Sequence, residues 1–413
     1  MDKNGIIQKS KDARREYGTS KTNEQEQMDN AGDWIDEAVT GKKSNVVKSF
    51  KEAKTENSTI DGKKEGNANN PTIPAGYIPI NTETSNWSNG KDAPSQDSVN
   101  HGLVIKDEKN NEWVWIPVDK ETLATMYEES SDEKTLCGTT GETAVKTKLY
   151  SKSITIGTDS NKTTTSRTTP GTTENPYYRE PDLVSGSNGS TSDARDTNYK
   201  AILGKTGTKE QLAQLFVDEY KEMIESVSKY GGFYIGRYEL SSAGVQQYKQ
   251  PLTKTNWYSL YKKCTELQAS DKVKTRMIWG CQWDVACNFI ANKGDKKSIR
   301  DSSTWGNHSN YNTANSYTEG TEGYEENAGS KQNTGSSENW KANNIYDLAG
   351  NCWEWTQEAG STDGRAYRGG YYNGYGSSYP ASACSFNNPD LNNYDNRRFS
   401  SHFNNKVILD TRA

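Results

Sequence analysis

The chain has 413 residues, of which 31% are hydrophobic and 10% aromatic, and a formal net charge of −5. That length holds two domains, or one domain of roughly 250–300 residues with appendages, and the low apolar share means that part of the chain is not packed. The charge balance gives no reason to invoke nucleic acid or an anionic membrane, and 24 Tyr and 11 Trp over so few aliphatic residues point away from a helical bundle, toward a loop-rich fold with short strands.

Residues 1–42 are polar, but Met28, Trp34, Ile35, Ala38 and Val39 recur at helical spacing, which predicts one or two amphipathic helices ending near Gly41. Residues 43–75 show little periodicity and read as a linker. From Gly76 the character changes. Gly102-Leu-Val-Ile-Lys106 and Glu112-Trp-Val-Trp-Ile-Pro117 predict a hairpin turning near Asn110, with Trp113 and Trp115 on one side. Residues 137–200, rich in Ser, Thr, Gly and Asn, read as a long surface insertion.

Thr208 opens the clearest helix, with Gln211 as its capping-box partner. Leu212, Leu215, Phe216, Met223, Ile224 and Val227 lie on one face, and Gly231 stands just beyond the end. Phe233-Tyr-Ile-Gly-Arg-Tyr238 reads as a strand. Helices follow at about 257–267 and about 284–292, and the thiols Cys264 and Cys287 read as core groups on them. Residues 300–340 return to loop composition.

The six cysteines have no CxxC spacing, which speaks against zinc, and do not define a disulfide framework. His101, His308 and His402 lie far apart and read as surface or loop residues, without a triad. No apolar run reaches membrane-spanning length, and no signal peptide follows Met1, so the chain reads as soluble.

The stretch Asn344-Ile-Tyr-Asp-Leu-Ala-Gly-Asn-Cys-Trp-Glu-Trp355, followed by Arg368-Gly-Gly-Tyr371, has two readings. It is a core strand, with Trp353 and Trp355 on one face, or a tightly wound loop whose oxygens suit a hard cation such as Ca²⁺.

Taken in order, Glu112-Trp-Val-Trp-Ile-Pro-Val, Gly-Gly-Phe-Tyr-Ile-Gly-Arg-Tyr-Glu239, Gly-Cys-Gln-Trp-Asp284, the Trp-Glu-Trp stretch and Tyr-Arg-Gly-Gly-Tyr resemble the formylglycine-generating enzyme (sulfatase-modifying factor) family. The resemblance spans about residues 100–400 and implies an α+β, elaborated C-type-lectin-like fold. It also implies a structural Ca²⁺ held by the side chains of Asp347 and Glu354 and the carbonyls of Gly350 and Cys352. The family's copper-binding cysteine pair has no counterpart here. After Arg-Gly-Gly there is only Cys384, displaced from the catalytic position, which corresponds to Ala381. Copper and formylglycine-generating oxidase activity are therefore not expected.

A non-catalytic branch fits better: ligand-binding proteins diversified by retroelements, whose mutagenesis at adenines turns Asn codons toward Tyr, Ser, Asp, His or Cys. Residues 371–396 have that composition. The face would comprise Tyr371, Tyr372, Asn373, Tyr375, Ser377, Ser378, Tyr379, Ser382, Cys384, Phe386, Asn387, Asn388, Asn392, Asn393, Tyr394 and Asn396. Tyrosine offers rigid amphipathic area and Ser, Gly and Asn adaptable hydrogen bonds. The expected partner is a protein or glycan. The opening Asn4-Gly-Ile-Ile-Gln-Lys-Ser-Lys-Asp-Ala-Arg14 resembles the segment after the membrane helix of type IV prepilin-like proteins. That likeness implies a chain that starts late or a soluble relative, with display on a bacterial surface or a phage, and it leaves open a pilin-like structural subunit.

Family members close with a strand like Val-Gly-Phe-Arg-Pro, whereas this chain has Arg397-Arg-Phe-Ser-Ser-His-Phe-Asn-Asn-Lys406. Codons can be chosen for those residues that, read one base on, give Val-Gly-Phe-Arg-Pro-Thr-Leu-Ile-Ile-Lys. The expectation is a single-base insertion that puts residues 397–413 out of frame and costs the domain its closing strand.

Overall fold

The computed structural model describes residues 57–59, 66–80, 99–137, 144–151, 202–204, 206–267, 271–359, 365–389, 403–404 and 407–411. The strands are β1 (Ser58–Thr59), β2 (Thr72–Ile73), β3 (Tyr77–Ile80), β4 (Val104–Asp107), β5 (Glu112–Pro117), β6 (Tyr127–Cys137), β7 (Val145–Ser151), β8 (Gly232–Gly236), β9 (Val273–Met277), β10 (Lys341–Ala342), β11 (Ile345–Tyr346), β12 (Trp353–Ala359), β13 (Arg365–Arg368), β14 (Cys384–Asn387), β15 (Phe403–Asn404) and β16 (Val407–Thr411). Helices α1 (Lys120–Met126), α2 (Lys209–Tyr230), α3 (Trp257–Thr265), α4 (Gly280–Asn292) and α5 (Tyr311–Ala314) lie among them. The result is a mixed, loop-rich α+β architecture with mostly antiparallel sheets. No helix among the described residues is long and apolar enough to cross a membrane.

The main sheet has the order β3-β4-β5-β8-β16-β9, with every neighbouring pair antiparallel. Its strands alternate between two cores. Val114, Ile116, Phe233, Ile235 and Ile408 point into one, with Tyr220, Met223 and Val227 of α2 and Trp283, Val285, Phe289 and Ile290 of α4. Trp113, Trp115, Tyr234 and Leu409 point into the other, with Trp257, Leu260 and Tyr261 of α3 and with Trp353, Trp355 and Tyr367. A sheet buried on both faces explains why its strands read as nearly continuous apolar runs.

The capping box at Thr208 is present, and Gly231 ends α2 in the left-handed conformation at φ 73°. The predicted hairpin forms β4 and β5 with Ile105 opposite Trp113. Helix α4 starts at Gly280, four residues before the predicted entry at Asp284, because Gln282 reaches back to the Trp279 backbone.

Three expectations change. Part of the stretch read as linker is built into the fold: β1 pairs with β2, and Thr59, Asn70 and Ile73 are buried. Part of the presumed insertion, β7, is a strand paired antiparallel with β6 just before it, whereas residues 138–143 and 152–200 lie outside the described residues. Residues 1–42, with their predicted helices, also lie outside them.

The third change concerns the closing strand, which is not missing. Residues 397–402 lie outside the described residues, but β16 fills the place between β8 and β9. Ile408 and Leu409 feed opposite cores, and Asp410 pairs with Arg276 of β9 at 2.9 Å, both side chains buried. The Arg276 guanidinium also donates to the Glu219 carbonyl of α2. Burial pushes the Asp410 carboxyl up to about 6, with Arg276 pulling the other way. Removing one partner strands the other charge. Arg276→Met should lower the unfolding free energy in urea by about 3–5 kcal/mol. Arg276→Met with Asp410→Leu should recover most of that loss.

Candidate functional site

Two strands and a loop build the candidate site. Strand β13 pairs with β14 in the register Arg368↔Cys384 to Arg365↔Asn387, so residues 369–383 form the loop that joins them. Strand β12 lies on the other side of β13, with Glu354 opposite Arg368. The side-chain period of two sorts the start of β12, ahead of a register shift between Trp355 and Ala359. Trp353 and Trp355 face the second core, where the Tyr367 ring stands 4.8 and 5.6 Å from theirs. Glu354 and Glu358 face the opposite way, toward α4.

On that second face Arg368 is fully buried. Its Nη1 lies 3.2 Å from Asp284 Oδ1 of α4, and its Nη2 donates to Glu358 Oε2 at 2.8 Å. All three side chains have 0% exposure. Gly369 and Gly370 follow in left-handed conformation at φ 91° and 80°, and a Cβ on Gly370 would stand 2.0 Å from the Tyr379 carbonyl. The Arg-Gly-Gly sequence thus anchors the base of the loop and turns it sharply.

The backbone beyond is stitched to residues 299–310. Ser309 N donates to the Gly374 carbonyl, Ser302 N to the Gly376 carbonyl, and Gly376 N to Asn310 Oδ1. Ala381 N donates to Ser302 Oγ, and Ser382 N to the Ile299 carbonyl. Above this frame the rings form a cluster. Tyr371 stacks on Trp353 at 5.9 Å, while Tyr379 meets Trp353 edge-on at 5.7 Å and Tyr371 at 5.6 Å. Tyr375 and Tyr379 remain 59% and 40% exposed, two of the three exposed large hydrophobic residues among those described; the third is Tyr248.

Of the expected face, Asn373, Tyr375, Ser377, Ser378 and Tyr379 are exposed, and Tyr371, Tyr372, Cys384, Phe386, Asn387 and Asn388 are half-buried. Ser382 is fully buried and does not reach the surface, since its segment runs beneath α4. Asn392, Asn393, Tyr394 and Asn396 lie outside the described residues. Ala381, which the resemblance aligns with a catalytic cysteine, is also buried, and its carbonyl accepts from Trp283 Nε1 at 3.0 Å. The Cys287 and Cys352 thiols are pushed well above the ordinary range, first by burial and then by nearby carboxylates, which keeps them protonated and inert.

The residues that the resemblance assigns to calcium are brought into one loop, but unequally. Asp347, at φ 55°, accepts through Oδ2 from Thr334 Oγ1 and from Gly335 N, each at 2.8 Å. Glu354 Oε2 instead shares a small space with the Leu348 carbonyl: they lie 3.1 and 2.9 Å from where a Cβ on Gly369 would stand. A carboxylate and a carbonyl around a glycine suit a hard cation. Among the described residues no three His, Cys, Asp or Glu side chains form a metal-binding group. The carbonyl that the structure places beside Glu354 Oε2 is that of Leu348, while Asp347 Oδ2 is taken up by Thr334 and Gly335.

Sequence reasoning missed two residues. Glu239 accepts from Cys352 N at 3.1 Å and from Asn351 Nδ2 at 2.6 Å, and so fixes the turn before β12. Its place at the end of the Gly-Gly-Phe-Tyr-Ile-Gly-Arg-Tyr-Glu motif was the available signal. His308, expected at the surface, is fully buried under the loop, its ring against Gly306 and Gly370. Burial lowers its pKa to about 4, against weaker pulls from the backbone at Tyr371 and Gly374 and from Asp301.

The fold and site thus define a mixed α+β protein that presents an aromatic, uncharged loop on a buried ionic base. Comparison with known proteins adds little. No family model matches the sequence, and no curated protein matches it. Among solved structures the chain is similar to Treponema denticola variable protein 1, with 15% identity over 44% of this chain and 85% of that one and a TM-score of 0.28. A likeness that faint carries nothing to this chain.

Since His308 is neutral in the fold and protonates readily once unfolded, its contribution to stability is present above about pH 6.5 and lost as pH falls through about 4. The span corresponds to roughly 3 kcal/mol. Urea titrations between those limits should show a smaller acid loss for His308→Gln than for the parent chain.

Proposed function

We propose that this protein is a non-enzymatic ligand-binding protein, with an elaborated C-type-lectin-like domain holding a diversified face over 371–396. The observation that carries this reading is the division of labour within 371–383. The residues turned outward are Tyr, Asn and Ser, whereas those turned inward are Gly374, Gly376, Pro380, Ala381, Ser382 and Ala383. Except at Ser382, the residue types that adenine mutagenesis of Asn codons yields stand where change costs the fold least. The backbone beneath them is held by hydrogen bonds that do not depend on those side chains. A rigid loop with exposed tyrosines loses little entropy on binding.

Calcium, where bound, would tie the turn at 347–354 beneath this loop through Glu354 and neighbouring carbonyls. It would supply structural charge balance only.

Two measurements test the reading. In a stability scan, alanine at Asn373, Tyr375, Ser377 or Ser378 should change the unfolding free energy by no more than about 0.5 kcal/mol. Gly376→Ala, whose Cβ would stand 2.3 Å from Ser303 N, should disrupt the loop. Equal intolerance at outward and inward positions would remove the basis for a diversified face. For calcium, adding the ion to chelator-treated protein should raise Tm by a few degrees. Glu354→Gln should abolish that response, and a chelator-insensitive Tm in the parent chain would exclude a structural role for the ion.

A further inference from the structure

Among the described residues one asparagine is followed by glycine: Asn373-Gly374, on the turn that opens the 371–379 segment. That pairing carries chemistry of its own. A backbone nitrogen attacks the side-chain carbonyl carbon of a preceding asparagine most readily when its own residue has no Cβ to crowd the five-membered ring that forms. The other described asparagines are all followed by residues with a Cβ, and several are engaged as well. Asn57 Oδ1 accepts from Ala75 N, Asn307 Nδ2 donates to Asn351 Oδ1, and Asn343 and Asn344 donate to carbonyls of residues 100–102.

Asn373 differs on both counts. Its side chain is exposed and takes part in no hydrogen bond among the described residues, so nothing holds the amide away from the next nitrogen. The structure also supplies a brake. Gly374 N donates to the Tyr371 carbonyl at 3.0 Å, and the Gly374 carbonyl accepts from Ser309 N at 3.0 Å and from Ser309 Oγ at 3.2 Å. The nitrogen must leave its acceptor before it attacks, so the reaction runs through local opening of the 371–374 turn.

We infer that Asn373 is a self-modification site, at which the chain converts its own side-chain amide into a carboxylate without an enzyme. Gly374 N gives its proton to solvent base and bonds to Asn373 Cγ. The Cγ–Nδ2 bond breaks, and Nδ2 leaves as ammonia. Water then opens the cyclic imide at either of its carbonyls. Attack at Cγ leaves aspartate, and attack at the backbone carbonyl leaves isoaspartate, with the main chain rerouted through the side chain. The sum is one water consumed and one ammonia released, with no oxidation or reduction. Either product puts a negative charge on the turn, and isoaspartate also lengthens the backbone by one carbon just before the Gly374 N–H that closes it. The conversion is independent of the binding role proposed above.

The test is to incubate the full chain at about pH 8 and 37 °C and digest it with trypsin, where cleavage after Arg368 and Arg397 isolates residues 369–397. The expected result is a mass gain of about 1 Da, placed at position 373 by fragmentation and divided between aspartate and isoaspartate, with a transient loss of about 17 Da from the imide. The rate should rise with pH. It should be about fivefold or more slower in the folded chain than in a synthetic 369–397 peptide, as one hydrogen bond that must first open requires. Ser309→Ala, which removes the Oγ bond to the Gly374 carbonyl and keeps the backbone one, should move the folded rate toward that of the peptide. In the peptide, Gly374→Ala should slow the conversion. A gain confined to other asparagines of 369–397, aspartate at 373 without isoaspartate, or conversion in the peptide with none in the folded chain each overturns the inference.

Discussion

A single guanidinium, that of Arg368, holds the candidate site to the body of the protein. With 0% exposure and carboxylates from α4 and β12 on two of its nitrogens, it joins β12 and β13 to a helix some 60 residues earlier in the chain. A buried ion group of this kind is a poor source of net stability, because desolvation offsets most of the attraction. Its effect is geometric. The planar fork accepts few arrangements, so helix, strand and loop base are fixed relative to one another. The same division appears in the main sheet, where Arg276 with Asp410 and Glu219 sets β16 against β9 and α2.

From this base the loop gains its shape without help from the side chains it displays. Backbone groups of 370–382 bond to residues 299–310, and glycines at 369, 370 and 376 permit approaches that any Cβ would block. Trp353 extends the second core upward to the underside of Tyr371 and Tyr379. The exposed residues therefore ride on a surface whose form is decided beneath them. That separation leaves the displayed side chains free to vary while the fold stays the same.

How much of this was legible in the sequence depended on range. Local signals were reliable: the Thr208 capping box, the Gly231 stop and the Trp113/Trp115 alternation all match the structure. Polar strands were not legible. Ser58–Thr59 and Tyr127–Cys137 carry no apolar period, and their pairing is set by partners elsewhere in the chain. Burial of charge was equally hidden, since Arg368, Asp284 and Glu358 look like surface residues until the chain brings them together. His308 was misjudged for the same reason: the glycines that enclose it, Gly306 and Gly370, are 64 positions apart. The closing strand was sought in a family pattern at 397–401, but it is made by the next apolar run, Val407–Thr411.

The position of β16 has a consequence for synthesis. It lies between β8 and β9, so those strands, complete some 130 residues earlier in the chain, have no direct pairing with each other. On a ribosome the gap between β8 and β9 stays open until β16 emerges, with two unpaired edges facing it. Every contact that completes this sheet is a long-range one, and long-range pairing is slow. A chain ended before β16 would carry the whole 369–383 loop yet lack the strand that joins β8 to β9.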